Sequence, residues 1–296
     1  GDQEFIPYDY KNYDCKAHLR TNVAFDFLDK KSPKEPFFLF MSYRAPHSFE
    51  GPIRDTLDYK DEDWPDIEKA HAAKITLLDR QIGRLINKLK ELDELDNTLI
   101  LFTSDNGPHF ADRGHELEFF NSNGNLKGGK RDLYEGGIRV PLIAYWKNKI
   151  KSQSTSYHIS GFQDIMTTFS EIIGYKISED LDGMSFLPTL LSKDQQKHDY
   201  LNWEFQLSGW FQNLPSGGFR QSVRIGDWKA VRYNLNSDIE LYNIKEDEGE
   251  KYNLAHLHFD LINEVRTIFE NSRLEVEGFP YGGVIQNYNS MDRFAQ

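Results

Sequence analysis

The sequence predicts an α/β protein, a mostly parallel sheet flanked by helices and followed by a smaller C-terminal antiparallel sheet with a helix. Three observations carry this prediction. First, Phe37–Tyr43 and Thr98–Thr103 are continuous apolar runs bounded by turn residues, the pattern of strands buried on both faces of a parallel sheet. Second, a long amphipathic segment from Asp66 to Leu95 lies between them, so strand, helix and strand make a right-handed crossover. Third, after roughly residue 195 the chain changes to short strand-like pieces separated by turn signals.

In chain order, residues 1–20 form a polar, aromatic-rich loop. Ala17–Lys30 has helical spacing, with Leu19, Val23, Phe27 and Leu28 on one side. The run that starts after Pro36 ends at Ala45-Pro46-His47, which puts His47 at the strand's carboxyl end. In the central helix Ile75, Leu78, Ile82, Leu85, Leu89 and Leu92 recur at three- and four-residue steps and make one apolar stripe. The strand Thr98–Thr103 stops at Ser104-Asp105-Asn106-Gly107, so oxygen-bearing side chains emerge where ligands bind in open α/β sheets. Gly114, Gly124, Gly128, Gly129, Gly136 and Gly137 then mark a loop of tight backbone turns. Val140–Trp146 reads as a short strand and Phe162–Ile173 as a helix closed by Gly174. The segment Leu181–Pro188 reads as a turn leading into a short helix. Asp199–Phe205, Arg220–Ile225, Trp228–Tyr233 and Glu240–Asn243 are the antiparallel strands, and Leu257–Leu274 the last helix. The expected division is residues 1–195 and 196–296.

Composition excludes several function classes. An apolar share of 39% with 14% aromatic residues is that of a globular chain. The formal net charge of −12 argues against nucleic-acid binding, so an anionic substrate needs a local basic pocket. Lys127, Lys130, Arg131 and Arg139 form the clearest basic cluster. No run of about 18 apolar residues is present to span a membrane. The single cysteine, Cys15, excludes an internal disulfide, and with no glycine elbow or adjacent base it is no candidate nucleophile.

The chemistry-bearing residues are few. Asp105 and Asn106 are hard oxygen donors suited to a divalent cation, although Asn-Gly is also a common turn. Lys130 sits between glycine pairs that permit close backbone approach to a ligand. His47 after Pro46 is a candidate acid or anion contact, and equally a structural histidine. His109, Asp112, His115 and Glu116 lack the helical His-x-x-x-His register of a zinc site, and His109 and His115 are read as pocket-lining candidates. Trp203, Phe205, Trp210 and Phe211 offer either sugar-stacking surface or interface packing.

Taken in order, Phe37–Phe40 to His47, Asp105-Asn106-Gly107, Gly129-Lys130 to Gly136-Gly137, Leu181-Asp182-Gly183, Arg224–Lys229 and Glu240–Asn243 to Ala255 resemble the formylglycine-dependent sulfatases of the alkaline phosphatase superfamily. The resemblance implies an alkaline-phosphatase-like fold and hydrolysis of a sulfate ester, with a sulfated carbohydrate as favoured substrate. It implies Lys130 and His47 as catalytic residues and Asp105 and Asn106 as ligands of Ca2+. Lys127, Arg131, His109 and His115 are then candidate pocket residues. The family's nucleophile, a formylglycine made from a Cys- or Ser-x-Pro-x-Arg segment, has no counterpart here. The expectation is therefore that residues 1–195 are the remainder of a catalytic domain whose N-terminal segment acts as a partner of this chain. Phosphoester hydrolysis on the same fold, and non-catalytic binding of sulfated glycans, are the alternatives. The family likeness also implies a periplasmic, secreted or lysosome-like location.

Overall fold

A computed structural model describes residues 17–33, 35–47, 57–109, 115–177, 181–206 and 218–274. Cys15, Asp112, Trp210 and Phe211 lie outside the described residues. The elements are α1 (Ala17–Lys30), α2 (Asp66–Glu91), β1 (Ile100–Thr103), α3 (Glu135–Ile138), β2 (Leu142–Tyr145), α4 (Gln163–Ile173), α5 (Leu187–Leu190), β3 (Leu201–Gln206), β4 (Phe219–Ile225), β5 (Trp228–Arg232), β6 (Glu240–Asn243) and α6 (Phe259–Asn271). They fall into two compact units whose boundaries interleave along the chain. One holds the described parts of Gly1–Leu101 with His109–Ser122 and Ala144–Asn148. The other holds Phe102–Pro108, Asn123–Ile143 and the described remainder from Lys149 onward.

In the first unit α1 packs against α2. Leu28, Leu89 and Leu95 are its buried centre, with Phe37, Leu39, Leu85, Ile86, Leu92 and Ile100 around them. Of the predicted stripe, Leu85, Leu89 and Leu92 join this centre and Leu78 packs by Ala17 and Ala45, whereas Ile75 is exposed at the N-terminal half of α2. The helix ends at Glu91, and Leu95–Asn97 makes one 3-10 turn before β1.

Residues 37–43 differ from expectation. They form no strand, and Phe38 and Phe40 are 69% and 79% exposed while Phe37 and Leu39 join the helical core. The segment thus buries one face rather than two. A strand is defined by its partners, and no described strand pairs with this run, so the predicted crossover is not formed among the described residues. β1 and β2 are neighbours in a two-stranded sheet.

The second unit is built on the antiparallel sheet β3-β4-β5-β6. Alternation along the strands gives it two apolar faces. Val223, Ala230, Ile239 and Leu241 pack on Ile262, Val265, Ile268 and Phe269 of α6. Val231, Tyr242 and Ile244 pack on Leu133 and Tyr134, with Ile138 and Trp203 beside them. The chain on either side of α3 is consequently a structural layer of the sheet, and it carries Lys130 with it.

Candidate active site

The end of β1 and the Lys130 turn are joined by main-chain hydrogen bonds. Gly107 N donates to Gly137 O at 2.9 Å, and Lys130 N donates to Pro108 O at 2.7 Å. The contact tolerates only glycine, because a Cβ on Gly107 would lie 1.8 Å from Gly136 O. On Gly136 it would lie 2.3 Å from Gly128 O. Gly136 N donates to Lys127 O at 2.8 Å, which closes the turn beneath Lys130. Gly136 and Gly137 are therefore there for backbone-on-backbone packing, and Gly128 for its left-handed turn at φ 77°.

Asp105 is exposed and Asn106 half-buried. Ser104 Oγ donates to Asn106 O at 2.9 Å, and Asn106 Nδ2 donates to Gly107 O at 2.8 Å. Those bonds fix the turn and assign the amide so that Asn106 Oδ1 remains an acceptor. The donor set is a carboxylate and an amide oxygen, the right chemistry for Ca2+ but well short of its usual ~6–8 oxygens. The described residues contain no group of three or more His, Cys, Asp or Glu side chains able to hold a metal. These two residues thus fit as part of a calcium site and not as the whole of it. Burial lowers the Lys130 pKa, the Asp105 carboxylate opposes that shift, and the Arg131 charge adds to it. Arg131 has φ 79°, a left-handed backbone rare for a residue with a Cβ.

Lys127 is held differently. Its ammonium sits 3.9 Å from the centre of the Tyr134 ring and 4.9 Å from that of Tyr242. It donates to Tyr242 Oη at 3.0 Å and lies 3.5 Å from Glu240. Both tyrosine hydroxyls donate to Glu240 Oε2 at 2.6 Å. This cage ties the turn to β6.

His47 and His109 belong to the first unit, where their rings meet edge to face at 6.4 Å. The buried Lys74 Nζ donates to His47 O at 3.3 Å, so α2 supports the turn that carries this histidine. His115 is 5% exposed and stacks on His71 at 3.7 Å, with Nδ1 3.5 Å from Glu68 Oε2. Glu68 Oε1 accepts from Glu116 N at 2.7 Å. Thus Asp105, Asn106, Lys127, Lys130 and Arg131 are gathered in one unit, and His47, His109 and His115 in the other.

Sequence reasoning passed over a buried ionic network under α3. Lys229 Nζ donates to Glu135 Oε1 at 2.9 Å, Arg224 lies 3.6 Å from Glu135 Oε2, and Glu135 N donates to Glu250 Oε2 at 2.8 Å. Burial raises the Glu135 pKa, but the Lys229 and Arg224 charges outweigh it and hold the carboxyl below its ordinary range. Burial pushes Glu250 up to about 7. The burial of Lys229 depends on a glutamate far away in sequence, for which no local signal exists.

The structure thus places strand-end oxygens beside a lysine on a glycine-pinned turn. The chain belongs to the sulfatase family: the Sulfatase model matches residues 1–175, and the model of the N-sulphoglucosamine sulphohydrolase C-terminal region matches residues 128–272. It is 29% identical over 283 residues to the N-acetylgalactosamine-6-O-sulfatase of Bacteroides thetaiotaomicron, covering 86% of this chain and 50% of that protein. Over 279 residues it is 29% identical to the uncharacterized sulfatase YdeN of Escherichia coli, covering 84% and 48%. The crystal structure of Ps i-CgsB in complex with k-i-k-neocarrahexaose is similar with a TM-score of 0.75 and 26% identity, covering 94% of this chain and 60% of that one. That likeness establishes the α/β sulfatase fold. The chain spans about half the length of the curated relatives it matches. Among the described residues no helix is long and apolar enough to cross a membrane.

Proposed function

We propose that the protein to which this chain belongs hydrolyses sulfate esters of a carbohydrate, with Lys130 and His47 catalytic and Asp105 and Asn106 among the ligands of Ca2+. The observation that carries this reading is the pair of backbone bonds, Gly107 to Gly137 and Lys130 to Pro108, that sets the lysine turn against the oxygen donors. A formylglycine hydrate would supply the attacking oxygen and calcium would offset sulfate charge; no residue of this sequence matches the formylglycine segment, so both need groups beyond those described here. Lys130 donates a hydrogen bond to a sulfate oxygen and stabilises charge as the S–O bond breaks. His47 gives a proton to the departing sugar oxygen. Arg131 and His109 contact the sulfated sugar, while Lys127 and His115 serve packing. The N-acetylgalactosamine-6-O-sulfatase relative and the neocarrahexaose complex favour a glycan over an aryl substrate. Such an enzyme works in the periplasm, the secreted space or a lysosome-like compartment.

The test uses the full-length protein with sulfated mono- and oligosaccharides, following sulfate release by ion chromatography. Asp105→Ala is expected to abolish calcium binding in calorimetry and to remove nearly all turnover. Retention of both overturns the metal assignment. Faster release of phosphate than sulfate from matched aryl esters assigns the protein to phosphoester hydrolysis instead, and binding of sulfated glycan without release makes it a binding protein.

A further inference from the structure

The residues on either side of Lys130 are all bound to one carboxylate or to its partner. Asp132 Oδ2 accepts from Gly129 N at 3.2 Å. Asp132 Oδ1 accepts from Arg220 Nη1 and from Tyr233 Oη, each at 3.0 Å. The same Arg220 Nη1 donates to Arg131 O at 2.7 Å, and Asp132 N donates to Gly129 O at 2.9 Å. Gly129, Arg131 and Asp132 are thereby fixed, and Lys130 is held between them with its own N–H on Pro108 O. Arg220 comes from β4 and Tyr233 from the residue after β5, so the clamp is supplied by the antiparallel sheet. The guanidinium of Arg220 also lies 4.6 Å from the centre of the Tyr233 ring.

The clamp comes in addition to the apolar attachment of the same segment. Cross-linking Leu133 and Tyr134 into the sheet core already attaches the segment. The clamp engages Gly129, Arg131 and Asp132, the residues that flank Lys130, and Arg131 among them has the left-handed backbone. A charged acceptor shared by an arginine and a tyrosine from two places on the sheet restrains the turn, since a carboxylate is a stronger acceptor than a neutral oxygen. The Tyr233 hydroxyl is held well above its ordinary pKa by burial and by Asp132, so it remains a donor.

We infer that Asp132, with Arg220 and Tyr233, is a positioning group that fixes Lys130 for its contact with the anionic substrate, and that this is the catalytic contribution of the C-terminal sheet. The inference rests on the reading of Lys130 as a catalytic residue. Asp132 touches no reacting atom; it acts through the lysine.

Two measurements on the full-length protein test it. The first needs no turnover: competitive acetylation of lysines, quantified by peptide mass spectrometry across pH. Asp132→Asn is expected to change the labelling rate of Lys130 at least threefold while leaving exposed Lys193 and Lys251 unchanged. Tyr233→Phe keeps the ring on Arg220 and is expected to give a smaller change in the same direction. An unchanged Lys130 rate in both variants, with an unchanged melting temperature, overturns the inference. The second is a double-mutant cycle on sulfate release. Asp132→Asn is expected to lower kcat/KM on the order of 10–100-fold in the native background and by less than about twofold in a Lys130→Ala background. Equal losses in the two backgrounds mean a purely structural role and sink the proposal. If Lys130→Ala itself costs nothing, the sulfatase reading of the lysine fails, whereas the labelling result still decides whether Asp132 controls it.

Discussion

Arg131 shows at a single residue how the site departs from what stability alone favours. Its φ of 79° costs a residue with a Cβ on the order of 1 kcal/mol, which glycine avoids at the expense of a larger chain entropy. These effects nearly cancel, so Arg131→Gly is expected to alter folding stability by no more than about 1 kcal/mol in urea titration. The same variant removes a cation next to Lys130 and keeps the carbonyl that Arg220 holds. A severalfold rise in KM for a sulfated sugar is therefore expected at nearly constant stability. A fall in stability without change in KM would show that Arg131 serves the fold instead. With Lys130 in its proposed role as a donor to developing charge, its replacement by alanine is expected to lower kcat by roughly 10^2–10^3 with the fold intact by circular dichroism.

At the scale of elements, the joint between β1 and α3 is made of backbone rather than side chains, and that sets how it fails. A methyl group on Gly107 meets the Gly136 carbonyl at 1.8 Å, and neither partner can rotate away. Gly107→Ala is expected to cost about 2–4 kcal/mol in urea unfolding and to lower calcium affinity, because the turn bearing Asp105 must move. Gly226, at φ 53° in the β4–β5 turn with open space around its Cα, is the control. Its alanine variant pays only the left-handed backbone penalty of about 1 kcal/mol. Equal costs at the two glycines would mean that crowding at the joint is absorbed by small shifts.

The same contrast explains what was legible in the sequence. Ala17–Lys30 and the four antiparallel strands are seen in the periodicity because burying one face is a local pattern. The run at 37–43 reads as a strand by composition, yet strand formation belongs to a pair, and no described strand partners this one. Asp105, Asn106 and Lys130 were visible because glycine and strand-end position mark them. The grip of Glu240 and two tyrosines on Lys127, and of Arg220 and Tyr233 on Asp132, was not. Apart from Tyr134, those partners lie some ninety to one hundred and fifteen positions away, and no local periodicity pairs them with the turn.

For the whole molecule, the two compact units hold buried titrating groups of opposite sense, which gives the chain a stability profile that neither unit has alone. In the first unit, His71 lies against His115 and near Lys74, and burial followed by these two neighbours lowers its pKa from 6.5 to about 4. The folded state then binds fewer protons than the unfolded one between those values. Its contribution is present above pH 6.5 and is lost as pH falls toward 4. In the second unit, Glu250 faces Lys229, Glu135 and Lys127, and its pKa is raised from 4.5 to about 7. Here the folded state binds more protons, so the contribution is present below pH 4.5 and is lost as pH rises through 7. Hydrogen exchange, corrected for intrinsic rate, is expected to show peptides spanning 64–76 losing protection on acidification from 6.5 to 4. Peptides spanning 240–252 are expected to lose it as pH rises from 4.5 to 7. His71→Asn is expected to flatten only the first response and Glu250→Gln only the second. Parallel slopes in the two peptide sets, or one variant flattening both, would mean that the units unfold as one and that other groups govern the pH response. The two ranges overlap between about pH 4.5 and 6.5, so separate slopes would mean that one unit gains stability there while the other loses it, and the two groups together leave the summed stability nearly flat.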